Sequence, residues 1–375
     1  MKINLDLQCV NIKGTGIAEF ANMLINYLQN KPDLQLHGFY SQLHHRSEES
    51  DFSRFNFPVH LGRLPIKILY SRKLSRPLPL YYDWLARNKA DVNLYFTWNI
   101  KRVHHKGITI ATIHDLIALR TEMENQKIVD EQINDLTYTV KHCDYIITVS
   151  ESSKKDIIQE FNYPENRIHV VPNAIDFSLF NKRISDSKAK EIRKKYNLPE
   201  KFILYLGGMR KHKNIERLIR AYSILPKELR DEYKLVITKG TDALREMTRE
   251  LNLTDRVVFT PFIDNDDKAG MYQLASLYAY ISLYEGFGIP IIESQAAGTP
   301  VLTSNVSSIP EVAGDSALCV DPTNVEEIAD GMNSILTNEK LRSSLVDKGY
   351  VNAKSYSFEN AGENLYKFVI SLKHN

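Results

Sequence analysis

The chain is poor in cysteine and has no long apolar run. Its 375 residues include only Cys9, Cys143 and Cys319, which lie far apart. The odd count and the missing CxxC spacing argue against a disulfide framework or a structural zinc site. No segment approaches the run of about 20 apolar residues that spans a bilayer. Residues 1–7 lack the apolar stretch of a signal peptide, so we expect a cytoplasmic protein with reduced thiols.

An excess of charge of either sign is also missing. The 48 basic and 46 acidic residues leave a formal net charge of +2, which gives no general signal for nucleic-acid binding. Hydrophobic residues make up 43% and charged residues 25% of the chain, as in globular proteins. A chain of this length suits two domains better than one core.

What the chain does have is an alternation of short β-rich runs and helix-period stretches. In the first half we predict strands at 3–7, 34–40, 92–96, 108–113, 145–149 and 168–171, with helices at 16–29, 128–142 and 151–161. After a polar stretch at 176–199, a second alternation has strands at 202–206, 234–238, 257–260, 277–281, 300–303 and 317–320. Its helices are predicted near 215–225, 244–251, 267–274, 290–297, 325–336, 339–355 and 358–372.

This alternation predicts an α/β protein with parallel sheets and crossover helices. We expect two doubly wound, Rossmann-like domains at residues 1–180 and 181–355. A C-terminal helix at 356–375 is expected to pack back on the N-terminal domain. Ligands of such sheets bind at the carboxyl ends of the strands, so a cleft between two facing sheets is the expected site.

The most informative segment is Glu285-Gly-Phe-Gly-Ile-Pro-Ile-Ile-Glu293, which follows the predicted strand at 277–281. Gly286 and Gly288 allow a tight turn and a close approach of the backbone to a ligand. Pro290 suits the first turn of a helix, whose N–H groups favour a diphosphate. The alternative is a strand–loop–helix joint with two solvated glutamates.

A basic loop follows the first strand of the second domain. It reads Gly207-Gly-Met-Arg-Lys-His-Lys213 and precedes the predicted helix at 215–225. Glycines after a strand and cations before a helix form a phosphate cradle. Arg210 and Lys213 can neutralise a departing diphosphate without a metal ion. A solvated basic turn is the alternative.

Other candidate residues follow strands elsewhere in the chain. His114 and Asp115 follow the predicted strand at 108–113, and the alternative for His114 is a histidine satisfied by the backbone. Gly14 and Gly16 lie between the first strand and the first helix, where a lone Gly-x-Gly is a weak signal. Phe262 would either cover the face of a nucleobase or belong to the core.

The segment 285–293 resembles the E-x7-E signature of family 4 of the retaining glycosyltransferases. Stretches 149–156, 170–176 and 309–315 resemble further parts of the same family, so the resemblance covers nearly the whole chain. It implies the GT-B fold, with the acceptor on the first domain and the nucleotide-sugar donor on the second. It also implies retention of the anomeric configuration, with no cofactor and no metal site.

The resemblance assigns roles to individual residues. Lys213 and Arg210 would bind the diphosphate, with Arg210 replacing the family's arginine because Gly208 stands at its usual place. Glu285 would bind hydroxyls of the transferred sugar, Glu293 the ribose, and His114 the sugar from the first domain. Other donor-binding positions would be Gly16, Gly208, Gly286, Phe287, Gly288, Ile289 and Phe262. Asp115 and Gly14 would lie on the acceptor side.

The predicted function is transfer of a hexose from a nucleoside-diphosphate sugar to a glycan or lipid-linked acceptor in surface polysaccharide synthesis. GDP-mannose is the first choice, because the context Ile113-His-Asp-Leu116 resembles bacterial mannosyltransferases. UDP-sugar and deoxysugar donors stay open. The alternatives from other classes are a sugar-nucleotide epimerase, a phosphorylase, or a non-catalytic subunit that binds a nucleotide sugar.

A locally basic stretch at 62–89 interleaves lysine and arginine with aliphatic and aromatic residues. Such a stretch can lie on the anionic cytoplasmic face of a membrane. A solvated charged face is the alternative. Peripheral contact with the membrane is therefore a further expectation for this chain.

Overall fold

The computed structural model describes residues 1–12, 15–41, 51–62, 90–100, 107–121 and 126–374. The chain divides into two compact units. The first consists of Met1–Leu119, Glu124–Asn173 and Phe358–Asn375, and the second of Arg120–Met123 and Ala174–Ser357. Apart from Arg120–Met123, the chain belongs to the first unit up to Asn173, which lies before the boundary expected near residue 180.

A seven-stranded parallel sheet is the centre of the first unit. Its strands are β1 (Lys2–Asp6), β2 (Gln35–Ser41), β3 (Val59–Gly62), β4 (Val92–Tyr95), β5 (Ile108–Thr112), β6 (Tyr145–Thr148) and β7 (Ile168–Val170). They lie in the order β3-β2-β1-β4-β5-β6-β7. From β1 the strand order runs outward to β2 and β3 on one side and to β4 and the later strands on the other. The switch point, where such sheets bind ligands, therefore lies between β1 and β4.

Helices cover this sheet. They are α1 (Gly16–Leu28), α2 (Ile117–Arg120), α3 (Gln126–His142), α4 (Glu151–Phe161) and, from the end of the chain, α15 (Phe358–Ser371). Helix α4 shows why these boundaries arise. Ser150 accepts a hydrogen bond from the Ser153 N–H at its start, and Asn162 adopts a left-handed conformation at its end, both of which are common helix caps.

The second unit has a six-stranded parallel sheet. Its strands are β8 (Phe202–Tyr205), β9 (Lys234–Thr238), β10 (Val257–Thr260), β11 (Leu277–Tyr280), β12 (Val301–Ser304) and β13 (Leu318–Val320). The order is β10-β9-β8-β11-β12-β13, so the switch point lies between β8 and β11. Every residue of β8, β11 and β12 is buried, as expected for parallel strands covered on both faces.

The helices of the second unit follow in chain order. They are α5 (Phe177–Asn181), α6 (Asp186–Tyr196), α7 (Ile215–Ser223), α8 (Lys227–Glu232), α9 (Asp242–Glu250), α10 (Asn265–Leu274), α11 (Ile289–Ala296), α12 (Ile309–Ala313), α13 (Val325–Thr337) and α14 (Glu339–Ser355). A 3₁₀ turn at Lys211–Lys213 precedes α7. None of the helices in the described part of the chain is long and apolar enough to cross a membrane.

Candidate functional site

The switch point of the second sheet brings Lys213 and Glu285 together. Lys213 follows β8 and Glu285 follows β11, the neighbouring strand. Lys213 Nζ donates to Glu285 Oε1 at 2.6 Å, and the two side chains are only 15% and 8% exposed. A carboxylate buried to this extent needs a charged or hydrogen-bonding partner, and the lysine supplies it.

Tyr280, the last residue of β11, completes this group. Its hydroxyl accepts a hydrogen bond from Lys213 Nζ at 2.8 Å and donates to Glu285 Oε1 at 2.7 Å. Burial, together with the nearby negative charge of Glu285, raises the pKa of Tyr280 well above its ordinary value. The hydroxyl therefore keeps its proton and acts as the donor to the carboxylate.

The loop around Glu285 is fixed by serines that follow β12. The Glu285 N–H donates to Ser307 Oγ at 3.0 Å, and Ser308 Oγ donates to the carbonyls of Glu285 and Phe287 at 2.9 and 3.1 Å. Phe287 is buried and meets the Tyr356 ring edge to face, with centroids 5.4 Å apart. Phe287 thus anchors the loop in the core of the unit.

Helix α11 begins at the end of this loop. Gly288 has φ +107°, a conformation that favours glycine, and it forms the N-cap with proline in the first turn. Pro290 has no N–H, and the Ile291 N–H donates to the Gly288 carbonyl at 3.0 Å. The backbone donors of this helix start are therefore those of Gly288 and Ile289, where a diphosphate is favoured.

Glu293 lies one turn into α11 and is 3% exposed. Tyr272 donates its hydroxyl to Glu293 Oε2 at 2.9 Å, and Lys268 Nζ donates to Oε1. Both partners come from α10. The two acidic residues of the predicted motif are thus each paired with one lysine and one tyrosine. Of these partners the sequence analysis identified Lys213 but not Tyr280, Lys268 or Tyr272.

The loop after β8 is bonded to the tyrosine that precedes it and to the neighbouring strand β9. Tyr205 donates its hydroxyl to the Gly208 carbonyl at 2.6 Å, and the Gly207 N–H donates to Thr238 Oγ1 at 3.3 Å. A Cβ atom on Gly208 would meet nothing within 4 Å, so this glycine presents its backbone to open space. Such an exposed backbone can approach a ligand closely.

Arg210 and Asn214 frame the 3₁₀ turn. Asn214, at φ 60°, donates from Nδ2 to the carbonyls of Ile281 and Pro322 at 3.0 and 2.6 Å, which ties the start of α7 to the end of β11. Arg210 is exposed and lines a cavity of about 760 Å³. Among the described residues, those that line this cavity include neither Lys213 nor Glu285.

His212, inside the same turn, is a buried residue that the sequence analysis missed. Its carbonyl accepts from the Leu283 N–H at 2.7 Å, which joins the loops after β8 and β11. Burial, and next the charge of Lys213, lower the pKa of His212 to about 4. The ring is therefore neutral near neutral pH, and the positive charge of this turn is carried by Arg210, Lys211 and Lys213.

Phe262 lies at the carboxyl end of β10 and is 60% exposed. The alternative that it belongs to the core is therefore wrong. Lys239 Nζ lies 4.5 Å from the centroid of its ring, and the Lys239 N–H donates to the Thr260 carbonyl at 3.0 Å. The exposed ring offers a flat surface at the same edge of the sheet as the Lys213–Glu285 pair.

In the first unit, His114 follows β5 and is 7% exposed. Its Nε2 lies 3.0 Å from the Phe96 carbonyl, and burial lowers its pKa to about 4. Because a carbonyl only accepts, the neutral ring carries its proton on Nε2 and presents Nδ1 as an acceptor. Asp115 Oδ1 accepts from the Ile117 N–H at 3.0 Å, at the start of α2.

Gly16 is the first residue of α1, whose N-cap Thr15 accepts from the Ala18 N–H. Gly14 and the basic residues 63–89 lie outside the described residues, so the predictions made for them stay predictions. Within the part of the chain that the structure describes, no group of His, Cys, Asp and Glu residues is arranged to hold a metal ion.

Comparisons with known proteins also divide the chain into two parts. Residues 15–179 match the family Glycosyltransferase Family 4, and residues 188–351 match Glycosyl transferases group 1. O-antigen chain mannosyltransferase B of Escherichia coli is 29% identical over 98% of this chain and 100% of its own length. Serotype-specific mannosyltransferase WbdA of Escherichia coli is 30% identical over 67% of this chain, a match that spans only 32% of that protein.

A solved structure shows the same fold at low identity. Anabaena Alr3699/HepE in complex with UDP and glucose has a TM-score of 0.75 and 16% identity to this chain. The match covers 99% of this chain and 100% of the other. Together with the two parallel sheets, it confirms the predicted fold class, a GT-B protein built from two Rossmann-like domains.

Proposed function

Because this chain belongs to the glycosyltransferases, with a family 4 domain followed by a group 1 domain, we propose that it transfers mannose from GDP-mannose. The acceptor is a glycan or a lipid-linked glycan of a bacterial surface polysaccharide. Relatives that align with nearly the whole chain or with two thirds of it are named as mannosyltransferases, which supports this choice of sugar. We place the reaction on the cytoplasmic side of the membrane.

The observation that carries the proposal is the buried group of Lys213, Tyr280 and Glu285 at the switch point of the second sheet. Sheets of this kind bind nucleotides at this position. A lysine here stabilises the negative charge that develops on a leaving diphosphate. A carboxylate beside it accepts hydrogen bonds from sugar hydroxyls, which is how the donor is oriented.

The remaining predicted residues take supporting roles in this proposal. The N–H groups of Gly288 and Ile289 and the backbone of Gly208 contact the diphosphate, and Arg210 adds positive charge to the loop after β8. Phe262 covers the nucleobase, while Glu293 contacts the ribose from its anchored position in α11. In the first domain, His114 contributes Nδ1 as an acceptor for a sugar hydroxyl.

The reaction proceeds with retention of the anomeric configuration. The acceptor hydroxyl forms its bond to the anomeric carbon on the face from which the diphosphate leaves. The departing phosphate oxygen takes the proton of that hydroxyl, so no side chain has to act as a separate base. We also propose that no metal ion is required, since Lys213, Arg210 and the start of α11 supply the stabilising charge and dipole.

Thermal shift with GDP, UDP and dTDP tests the donor, because a bound ligand raises the unfolding temperature by mass action. At about 100 times Kd a ligand stabilises by about 2.7 kcal/mol. We expect GDP to give the largest rise, unchanged by EDTA, and the Lys213→Met variant to lose most of it. A rise that requires added magnesium would contradict metal independence.

A UDP-sugar donor is the second candidate, and one observation favours it. The structural neighbour Alr3699/HepE was solved with UDP and glucose. At 16% identity that likeness extends to the fold alone, so mannose and GDP remain the first choice. A larger thermal shift with UDP than with GDP would reverse the order of the two candidates.

A further inference from the structure

Buried tyrosines line the switch point of the second sheet. Tyr278 and Tyr280 alternate along β11 and so lie on the same face of the sheet, with ring centroids 5.8 Å apart. Tyr205 of β8 stacks on Tyr280 with centroids 6.4 Å apart, and Tyr272 of α10 meets Tyr278 edge to face at 5.1 Å. We call this group, Tyr205, Tyr272, Tyr278 and Tyr280, the tyrosine cluster.

Each hydroxyl of the tyrosine cluster donates a hydrogen bond to a loop or a side chain of the candidate donor site. Tyr205 and Tyr278 donate to the carbonyls of Gly208 and Leu206, at 2.6 and 2.9 Å. Tyr272 donates to Glu293. All these side chains are at most 2% exposed, so the cluster is a rigid base for the loops above it.

Tyr280 differs from the others because it contacts both charged groups of the site. Its hydroxyl and Lys213 Nζ both bond to the same carboxylate oxygen, Glu285 Oε1. In the proposed reaction Lys213 must turn toward the donor phosphates. The carboxylate would then lose its cation, and the Tyr280 hydroxyl is the contact that stays with it.

We propose that Tyr280 is a positioning residue for the transfer reaction, whose hydroxyl holds Glu285 in place while Lys213 binds the phosphates of a nucleoside-diphosphate sugar. This inference rests on the proposed function. By occupying Oε1, the hydroxyl directs Oε2 of Glu285 to the sugar. It touches no reacting atom and acts through the carboxylate.

The test compares Tyr280→Phe with Tyr222→Phe in steady-state assays that measure nucleoside diphosphate released from GDP-, UDP- and dTDP-hexoses. Tyr222 is a matched control, since it is also buried and its hydroxyl also makes a hydrogen bond, to the Tyr233 carbonyl at 2.9 Å. Tyr233 immediately precedes β9, at the amino-terminal edge of the sheet, whereas Tyr280 lies at the carboxyl-terminal edge. We expect Tyr280→Phe to lower kcat by about tenfold or more, because the lost bond goes to a charged group. The donor KM should stay within about twofold, and Tyr222→Phe should match the wild type.

A double-mutant cycle separates positioning from a general loss of structure. If the hydroxyl acts through Glu285, Tyr280→Phe causes a much smaller loss in a Glu285→Gln background, where its bond goes to a neutral amide, whereas independent effects would multiply. Multiplying losses, or a Tyr280→Phe variant as active as the control, would overturn the inference and leave the proposed function standing. A folded wild type that releases no nucleoside diphosphate from any of these sugars would overturn both.

Discussion

The two glutamates of the motif have different surroundings, although they lie on one short segment. The hydrogen bonds that Glu285 receives from side chains converge on Oε1. Glu293 receives one bond on each oxygen, from Lys268 and Tyr272. Glu285 can therefore offer Oε2 to a ligand, while both carboxylate oxygens of Glu293 already accept hydrogen bonds. This difference supports the proposal that Glu285 contacts the sugar and that Glu293 makes a fixed contact elsewhere on the donor.

Buried histidines give the protein a pH dependence that can be measured at His114. Its pKa is about 4 in the folded chain and near 6.5 when unfolded. Between these values the unfolded chain binds a proton that the folded chain does not, so stability falls as the pH drops from about 6.5 to about 4. We expect His114→Gln to reduce the loss of unfolding free energy between about pH 7.5 and about pH 4.5 by about 2 kcal/mol.

Chemical denaturation of both proteins at the two pH values measures this difference. The exposed His142 of α3 provides the control, because a His142→Gln variant makes the same change of side chain at the surface of the same unit. Equal pH dependence in the His114→Gln variant and the wild type would show that His114 titrates normally. That result would also contradict the assignment of His114 as a neutral ring whose Nδ1 is an acceptor.

Sequence reasoning reached part of the candidate site at this scale. It identified Glu285, Glu293 and Lys213, because acids after one strand and cations after another are recognisable from spacing. It did not identify Tyr280, Tyr272 or Lys268, because tyrosine in an apolar strand and lysine in a polar helix look ordinary in sequence. Their roles depend on which strands are neighbours, a property that only the folded sheet has.

Among the elements, α6 and α10 are joined by a buried aspartate. Asp267 of α10 is 1% exposed, and its Oδ2 accepts from Lys195 Nζ at 2.6 Å and from the Tyr196 hydroxyl at 2.8 Å. Lys188 Nζ lies 2.8 Å from Oδ1. Burial alone would raise the pKa of Asp267, but the bonds from Lys188, Lys195 and Tyr196 lower it to about 2.

Replacing this aspartate should weaken the packing of α6 on α10. We expect Asp267→Asn to lower the free energy of unfolding by about 2 kcal/mol, because the bonds from Lys188, Lys195 and Tyr196 no longer go to a charged acceptor. The exposed pair Lys348–Asp315, with side chains 47% and 83% exposed, is the control. Asp315→Asn should cost much less stability, because an exposed pair is screened by water. Similar losses in thermal unfolding of the two variants would contradict the account.

Most elements follow from the sequence, and the exceptions have a physical reason. Strands β9 and β10 and helices α4 and α14 have the predicted limits. Strand β3 was missed, since a run of Val59–Gly62 after a proline carries little pattern. The polar stretch at 176–199 contains α5, which buries only Phe180, and α6, which buries only Ile192 and Tyr196, so a hydrophobic periodicity is hardly visible.

At the scale of the whole molecule, the chain leaves the first unit after Asn173 and returns to it at Phe358. Helix α15 then packs on α1, where Tyr27 donates its hydroxyl to Glu363 at 2.6 Å and Lys31 pairs with the same carboxylate at 3.1 Å. A Cβ atom on Gly362 would lie 2.2 Å from the Tyr27 ring, so the helices are in close contact. Both ends of the sequence therefore stabilise the first unit.

The burial of the Lys213–Glu285 pair limits which substitutions can test the proposed function in the whole protein. Removing either charge completely leaves its partner buried and uncompensated, which can cost 3 kcal/mol or more as an order of magnitude. An alanine variant would therefore mix a loss of stability with a loss of activity. Glu285→Gln also removes the negative charge, but it keeps the shape of the side chain, and its amide group can still bond to Lys213 and Tyr280, so its cost in stability should be smaller than that of alanine.

The most direct measurement is the release of GDP from GDP-mannose by the wild type and by Glu285→Gln, at matched concentration and with folding verified by circular dichroism. We expect the wild type to turn over the donor and the variant to be slower by about a hundredfold, since a charged hydrogen bond to the sugar is lost. Equal turnover by the two proteins would contradict the central claim that Glu285 acts on the donor. A folded wild type without turnover of any nucleotide sugar would instead indicate a binding subunit.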